Sequence, residues 1–235
     1  MTAKTTYRIF PLGDSAITAD WGNCISEPVN REVLARFRQL SEVPLPGMTE
    51  VVSAYSSLTI YYDVLALRKR IAPGTTVYDH MRQLLEERLQ QPVSADAVQG
   101  RLVRIPVCYE KPFATDLLSL ALAKHISAEE LVHIHTASIY RVYMLGFLPG
   151  FTYMGEVDER IAMARKPVPE TVMPGSVGIA GRQTGVYPLV SPGGWHIIGR
   201  TPLALFSPER EEPALLAAGD QVQFYSISRH EFENY

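Results

Sequence analysis

The run PGSVGIAGRQTGVYP, residues 174–188, decides how this chain folds. It is the centre of a longer segment, residues 146–202, that begins with GFLPGFTY (146–153), ends with SPGGWHIIGRTP (191–202) and holds ten of the chain's 16 glycines. Glycine loses more conformational entropy on folding than any other residue, so such density marks backbone conformations or close approaches that a Cβ would block. Two interpretations fit, and they are compatible: a β-barrel with tight turns, or a ligand pocket.

Polar and aromatic side chains lie among these glycines and suit the wall of a pocket. They are Phe147, Phe151, Tyr153, Gln183, Thr184, Tyr187, Trp195 and Arg200. A strand over residues 195–201 is predicted to place His196, Ile198 and Arg200 on one face. The five donors of Arg200 suit a carboxylate or a phosphate. An equally weighted alternative is that Arg200 is structural and is bonded to a backbone carbonyl or to a neighbouring domain.

Composition and charge exclude several classes of protein. The 235 residues allow one large domain or two small ones, and the formal charge of −3, with scattered Lys and Arg, gives no electrostatic footprint for nucleic acid. No apolar run approaches the roughly 18 residues of a membrane span. The N-terminus lacks the apolar core of a signal peptide, so we expect a cytoplasmic protein. Cys24 and Cys108 have no Cys-x-x-Cys partner and are expected to be inert, buried thiols.

The N-terminal half predicts the element order β-β-α-β-β-α. Its β-prone runs are residues 7–12, 16–21, 51–54 and 58–64, and its helical stripes are Val29, Val33, Phe37, Leu40 and then Val77, Met81, Leu84, Leu85, Leu89. Two such helices can cover one face of an antiparallel sheet, which gives an α/β sandwich-like domain. The helical stripe is lost at residues 91–96. We therefore place a boundary near residue 97 and predict domains 1–96 and 97–235.

The second half predicts a closed barrel with few helices. The predicted strands are residues 101–109, 138–147, 195–201, 203–206 and 221–227, with helices over 117–124 and 127–136. Ser127 and Glu130 have the spacing of a capping box at the start of the second helix. Many short strands with regular turns are typical of barrels, so the predicted fold class is α+β.

Three kinds of site are disfavoured by spacing. His133 and His135 could chelate a metal from a strand, but the capping box predicts a helix, where they lie about 200° apart. His135, at the helix end, is predicted to form a pocket-facing or structural hydrogen bond. The glycines of residues 174–185 do not form a P-loop, so an ATP site of that type is excluded. Ser176 lacks the surroundings of a nucleophile elbow.

Several long motifs resemble those of the PxpB/KipI family, also called allophanate hydrolase subunit 1-like. They are GFLPGFTY (146–153), PGSVGIAG (174–181), QTGVYP (183–188), SPGGW (191–195) and IGRT (198–201), and His135 and Tyr140 also match. The resemblance implies an N-terminal α/β domain and a C-terminal cyclophilin-like β-barrel. The chain departs from the family pattern at Glu110-Lys111, in place of a Gly-Gly pair, and at Pro169-Glu170, in place of Pro-Arg.

The resemblance also implies a function within an assembly. It implies a component of 5-oxoprolinase, which acts with PxpC-like and PxpA-like subunits to hydrolyse 5-oxo-L-proline to L-glutamate, with ATP as the co-substrate of the assembly. Ser176, Gln183, Thr184 and Arg200 are then expected to position the substrate between the aromatic walls. One alternative is a KipI-like inhibitor of a sensor histidine kinase. A further alternative is a protein related to urea carboxylase or allophanate hydrolase.

Overall fold

A computed structural model of the chain describes residues 6–93 and 100–235. The chain divides into two compact units, residues 1–99 and 100–235. Each unit has a hydrophobic core of its own. The boundary predicted near residue 97 lies outside the described residues.

The N-terminal unit is an antiparallel sheet with helices packed against it. Its elements are β1 (Arg8–Pro11), β2 (Ala16–Asp20), α1 (Glu27–Glu42), β3 (Met48–Ser53), β4 (Ser57–Tyr62), α2 (Val64–Arg68) and α3 (Val77–Gln90), with the sheet order β1-β2-β4-β3. Alternate residues of the central strands, such as Ile17 on β2 and Ile60 on β4, pack with α1 and α3 in one core. The predicted sheet and its two long helices are confirmed. The short α2 was not predicted; Asp63 ends the preceding strand and caps this helix by accepting from Ala66 N at 2.9 Å.

The C-terminal unit is a closed barrel of seven strands. Its elements are β5 (Leu102–Cys108), α4 (Leu117–Ala123), α5 (Ala128–Ala137), β6 (Ile139–Leu145), β7 (Thr152–Gly155), β8 (Glu170–Val172), β9 (Ser176–Ala180), β10 (Gln183–Val186), β11 (Ser191–Gly193), β12 (His196–Arg200), β13 (Gln221–Ile227) and α6 (Arg229–Glu233). The barrel order is β10-β7-β6-β13-β5-β12-β9, and β8 and β11 form a separate ribbon. Strands β5 and β13 run parallel, and the other barrel pairs are antiparallel. The predicted α+β fold with a C-terminal barrel is confirmed.

The glycine-rich segment supplies four of the seven barrel strands, β7, β9, β10 and β12. Successive residues of these strands point alternately into and out of the barrel. On β7, Met154 packs in the barrel core while Tyr153 packs with a second apolar cluster on the outer face. On β9, Ile179 packs in the barrel core and Ala180 packs with the outer cluster. The segment therefore builds both the barrel wall and a surface on its outside.

One predicted strand of this unit is absent, and one helix was not predicted. No strand forms over residues 203–206: Leu205 packs into the barrel core from a loop, and Phe206 makes a single bridge to Ala214. The apolar character of that run reflects burial rather than strand pairing. Helix α6 was missed, although Ser228 and Glu231 form a complete capping box at its start.

A β-bulge corrects the predicted faces of β12. Ile197 pairs with Gly178, but the next pair is Gly199 with Val177, so Ile198 is the extra residue. The bulge shifts the alternation by one position. Arg200 pairs with Ser176 and lies on the outer face with Ile197, whereas it was predicted to share a face with Ile198.

Candidate functional site

The candidate site is an open cavity of about 470 Å³ on the outer face of β7, β9 and β10. Twelve residues line it: Phe147, Phe151, Tyr153, Ala164, Arg165, Ala180, Gly181, Gln183, Tyr187, Pro192, Gly193 and Trp195. Six of the ten predicted site residues therefore lie together: Phe147, Phe151, Tyr153, Gln183, Tyr187 and Trp195. We call this cavity the aromatic pocket.

The wall of the aromatic pocket is one connected set of rings. Phe151 is at its centre, with ring centroids 4.8 Å from Tyr153, 5.0 Å from Tyr187, 5.5 Å from Trp195 and 5.6 Å from Phe147. All four contacts are edge-to-face, the geometry that the quadrupoles of aromatic rings favour. Phe151, Tyr187 and Trp195 are buried, so these rings are fixed in place before any ligand arrives.

Phe147 differs from the other rings because it stands at the rim. Its side chain is 60% exposed, and its backbone has φ of 70°, in the left-handed region that residues other than glycine seldom adopt. Strained backbone of this kind persists when its surroundings hold it. An exposed ring held in this conformation is available to contact a ligand or another protein chain.

Glycines in the strands make room for the rings. A Cβ on Gly193 would lie 2.5 Å from the hydroxyl of Tyr187. A Cβ on Gly185 would lie 2.6 Å from the carbonyl oxygen of Thr152 and 3.0 Å from Cζ3 of Trp195. The glycine density of this segment therefore serves the close packing of backbone and aromatic rings on the outer face of the barrel.

Replacing Gly185 by alanine is expected to destabilise the barrel unit by about 2 kcal/mol, the usual effect of overpacking. The clash is with a backbone oxygen of the paired strand, which cannot move without disturbing the ladder. The measurement is urea unfolding followed by the fluorescence of Trp195, in a Trp21→Phe background that removes the only other tryptophan. Gly146→Ala is the matched control, because its Cβ would meet only the flexible end of Met144. Equal stability of the two variants would contradict the packing argument.

Six of the twelve lining residues were not predicted, and Arg165 is the charged one among them. It belongs to no recognised motif and lies outside the strands of the barrel. The backbone on both sides of it is anchored: His196 Nε2 bonds to the carbonyl oxygen of Ala164 at 2.8 Å, and Lys166 N donates to the carbonyl oxygen of Gly194 at 2.8 Å. The adjacent cations Arg165-Lys166 before a proline were the available sequence signal.

Two other predicted site residues, Ser176 and Arg200, lie away from the aromatic pocket. Arg200 Nε donates to the carbonyl oxygen of Pro174 at 2.7 Å, which is the structural alternative for this residue. Its guanidinium carbon lies 5.9 Å from the ring centroid of Phe113. Arg200 lines a separate depression of about 420 Å³, together with residues such as Tyr235. Ser176 is buried at the end of β9 that pairs with Arg200.

The remaining two, His135 and Thr184, lie inside the barrel and bond to each other. Thr184 Oγ1 donates to the carbonyl oxygen of Gly178 at 3.0 Å, so its single proton is used. It must therefore accept from His135 Nε2, 3.0 Å away, which leaves His135 Nδ1 as the acceptor for the hydroxyl of Tyr109 at 2.8 Å. The tautomer of His135 follows from this chain of hydrogen bonds.

The protonation state of His135 is equally defined. Burial lowers the pKa of His135 to about 3, and burial raises the pKa of Tyr109 well above its ordinary value. Both side chains are therefore neutral near pH 7, and the His135 ring stacks on Phe224 with centroids 4.7 Å apart. Neither His135 nor Thr184 lines the aromatic pocket. Their geometry is that of a satisfied polar network in the core.

At both places where the chain departs from the family pattern, the glutamate forms a polar contact within the fold. Glu170 binds Lys166 Nζ at 2.7 Å, and Lys166 also binds Asp116 at 3.0 Å. The carboxylate of Asp116 accepts from Ile197 N at 2.7 Å. Glu170 thus belongs to a small ion-pair network beside the pocket. Glu110 Oε1 accepts from Arg229 N, at 3.2 Å, next to α6.

Two kinds of feature are absent from residues 6–93 and 100–235. No cluster of three or more His, Cys, Asp or Glu side chains in these ranges has the arrangement of a metal site. In the same ranges, no helix combines the length and the apolar character that crossing a membrane requires.

Comparison with known families identifies the class of domain to which this chain belongs. The family model described as "Carboxyltransferase domain, subdomain C and D" matches residues 7–216, and the chain belongs to this family. Within it, the chain is 45% identical to the B subunit of the 5-oxoprolinase of Bacillus subtilis, over 97% of this chain and 96% of that protein. It is 37% identical to the corresponding 5-oxoprolinase protein of Haemophilus influenzae, over 92% and 96% of the two chains.

A solved structure shows the same fold. The crystal structure of TTHA0988 matches 91% of this chain with a TM-score of 0.75 and 36% sequence identity. The chain spans 40% of the length of TTHA0988. The similarity to the urea amidolyase of Lachancea kluyveri is local, 41% identity over 66 residues, which are 26% of this chain and 4% of that protein.

Proposed function

We propose that this chain is the B subunit of an ATP-dependent 5-oxoprolinase and that its aromatic pocket forms part of the site that binds 5-oxo-L-proline. The observation that carries the proposal is the near full-length similarity to B subunits of 5-oxoprolinase, at up to 45% identity. The pocket supports it with a preformed surface of small-molecule dimensions, about 470 Å³. Catalysis by the isolated chain is not part of the proposal.

The pocket suits part of the required chemistry. Hydrolysis breaks the ring C–N bond of the lactam; the oxygen of water completes the new carboxylate, and the nitrogen takes a proton to become the amine. The carbonyl oxygen gains negative charge on the way, and fixed polar donors stabilise such charge. The amide of Gln183 and the guanidinium of Arg165 are two of the donors in the wall, beside the aromatic rings.

The twelve residues of the pocket wall do not supply a general base for this reaction. Among the described residues that line the pocket there is no Asp, Glu, His, Lys or Cys to act as a general base. We assign the base and the contacts to ATP to PxpA-like and PxpC-like subunits, so that the site is shared. The exposed ring of Phe147 at the rim supports this arrangement, because it offers an apolar contact to a partner.

The proposed function is tested by reconstitution. The chain is purified with candidate PxpA-like and PxpC-like partners, and release of ADP that depends on 5-oxo-L-proline is measured. We expect turnover only when all components are present, and at least tenfold less when Phe147→Ala replaces the wild-type chain. Phe10→Ala, an exposed phenylalanine of the other unit, is the matched control. Full turnover without this chain would refute the proposal.

The kinase-inhibitor role implied by the family resemblance stays a prediction. It is tested by adding the purified chain, at near-stoichiometric ratio, to an autophosphorylating sensor histidine kinase from the same cell.

A further inference from the structure

Arg165 stands out among the cations near the aromatic pocket because its charge is not neutralised. Lys166 is paired with Asp116 and Glu170, and Arg182 is paired with Glu156 and Glu159. Across the described residues, no carboxylate lies within ion-pair distance of Arg165, and no hydrogen bond engages its guanidinium. Arg165 is exposed and lines the aromatic pocket, so its donors are available to a ligand there.

The guanidinium is held close to the rings. Its Nε and Nη2 atoms lie 3.5 and 3.6 Å from the point that a Cβ on Gly194 would occupy, directly before Trp195. Burial raises the pKa of Tyr187 to about 12, and the positive charge of Arg165 acts against this increase. Burial likewise raises the pKa of Tyr153, again opposed by Arg165. The charge is thus near both phenols of the pocket wall.

A cation without an ion-pair partner among the described residues, beside a wall of aromatic rings, selects a particular ligand. The planar fork of an arginine binds a carboxylate through two parallel hydrogen bonds. The rings beside it offer apolar faces and edges to a small ring, and Gln183 offers an amide that matches a lactam. A compact ring that carries both a carboxylate and a lactam satisfies all three elements at once.

We infer that Arg165 is the residue that binds the carboxylate of a small cyclic acid in the aromatic pocket. The identity of the acid as 5-oxo-L-proline rests on the proposed function. Arg200, the cation favoured from the sequence, is bonded to Pro174 and lines a different depression, so it does not have this role. Arg165 is thereby assigned to specificity: it distinguishes the acid from the same lactam without its carboxylate.

The inference is tested by binding to the full chain in the Trp21→Phe background, where Trp195 fluorescence reports occupancy of the pocket. The probes are 5-oxo-L-proline, 2-pyrrolidinone, which is the same lactam without the carboxylate, and inorganic phosphate. We expect 5-oxo-L-proline to bind about tenfold or more tightly than 2-pyrrolidinone, the range for a hydrogen bond to a charged group. Arg165→Gln should abolish this preference, and Arg165→Lys should retain part of it. Arg182→Gln, which removes a nearby cation outside the pocket wall, should leave it unchanged.

The same variants are then measured in the reconstituted assembly. Arg165→Gln should raise KM for 5-oxo-L-proline about tenfold or more, with the circular dichroism and assembly of the chain unaltered. Unchanged KM and an unchanged ligand preference in Arg165→Gln would overturn the inference while leaving the proposed function intact. Turnover that does not need this chain would overturn the proposed function, and the binding titration would still decide the role of Arg165. Binding of phosphate in preference to both lactams, or no preference for the acid in either assay, would also overturn it.

Discussion

Replacing His135 by leucine is expected to lower the free energy of unfolding of the barrel unit by about 3 kcal/mol. The substitution keeps an apolar volume in the core but leaves the buried hydroxyl of Tyr109 without its acceptor, and an unpaired buried donor costs about 1–3 kcal/mol. It also removes the ring that stacks on Phe224 and the donor that Thr184 accepts from. The measurement is urea unfolding followed by Trp195 fluorescence in the Trp21→Phe background.

Two further variants isolate the cause. His133→Leu is the matched control, because His133 lies on the same helix but is exposed, and we expect a change within about 0.5 kcal/mol. Tyr109→Phe combined with His135→Leu removes both partners of the bond. The double variant should be less destabilised than the sum of the two single variants, by about 1 kcal/mol or more. Additive effects would mean that the hydrogen bond is not what stabilises this core.

Acid is expected to destabilise the wild-type barrel before its carboxylates titrate. His135 has an ordinary pKa of 6.5, which folding lowers to about 3. The contribution of neutral His135 to stability is therefore fully present above pH 6.5 and is lost as the pH falls toward 3. Between pH 7 and pH 5 this linkage amounts to about 2 kcal/mol.

The pH dependence can be assigned to His135 because the two tyrosines that contact it do not change charge between pH 7 and pH 5. Burial raises the pKa of both phenols that contact it, Tyr109 and Tyr140, so neither changes charge in acid. The unfolding free energy is measured at pH 7, 6 and 5 for the wild type and for His135→Leu, and the difference between the two profiles removes the other histidines. Parallel profiles would show that His135 does not couple protonation to unfolding.

The sequence predicted the elements whose signals are local. The helix stripe through Val33 and Leu40 and the Ser127 cap, which accepts from Glu130 N at 3.1 Å, needed only nearby residues. The strand over residues 195–201 was predicted and corresponds to β12, but the strands between residues 152 and 193 could not be located individually, because glycine and proline weaken both periodicity and β-propensity. A bulge such as that at Ile198 depends on the paired strand, so the alternation alone assigned Arg200 to the wrong face.

The residues of the aromatic pocket were predictable as a set, since rings such as Phe151 and Trp195 lie in one glycine-rich segment. Arg165 could not be predicted in this way, because its proposed role depends on which of the cations form ion pairs with carboxylates in the folded chain. Its neighbour Lys166 is neutralised by Asp116, 50 positions earlier in the chain, and Arg165 is not. Such pairing is a property of the folded chain. Thr184 and Gln183 are adjacent, yet the barrel places Thr184 in its interior and Gln183 in the pocket.

The parallel pair β5–β13 has a consequence for how the protein is made. These are the first and last strands of the barrel, and Asp220 joins them by accepting from Arg101 N at 3.0 Å and from Arg101 Nη2 at 2.8 Å, across 119 positions of chain. During synthesis the edge of β5 must therefore wait for almost the whole unit to leave the ribosome. An unpaired edge can recruit foreign strands, and pairing over such a distance is slow. The barrel therefore cannot close until β13 has been synthesised.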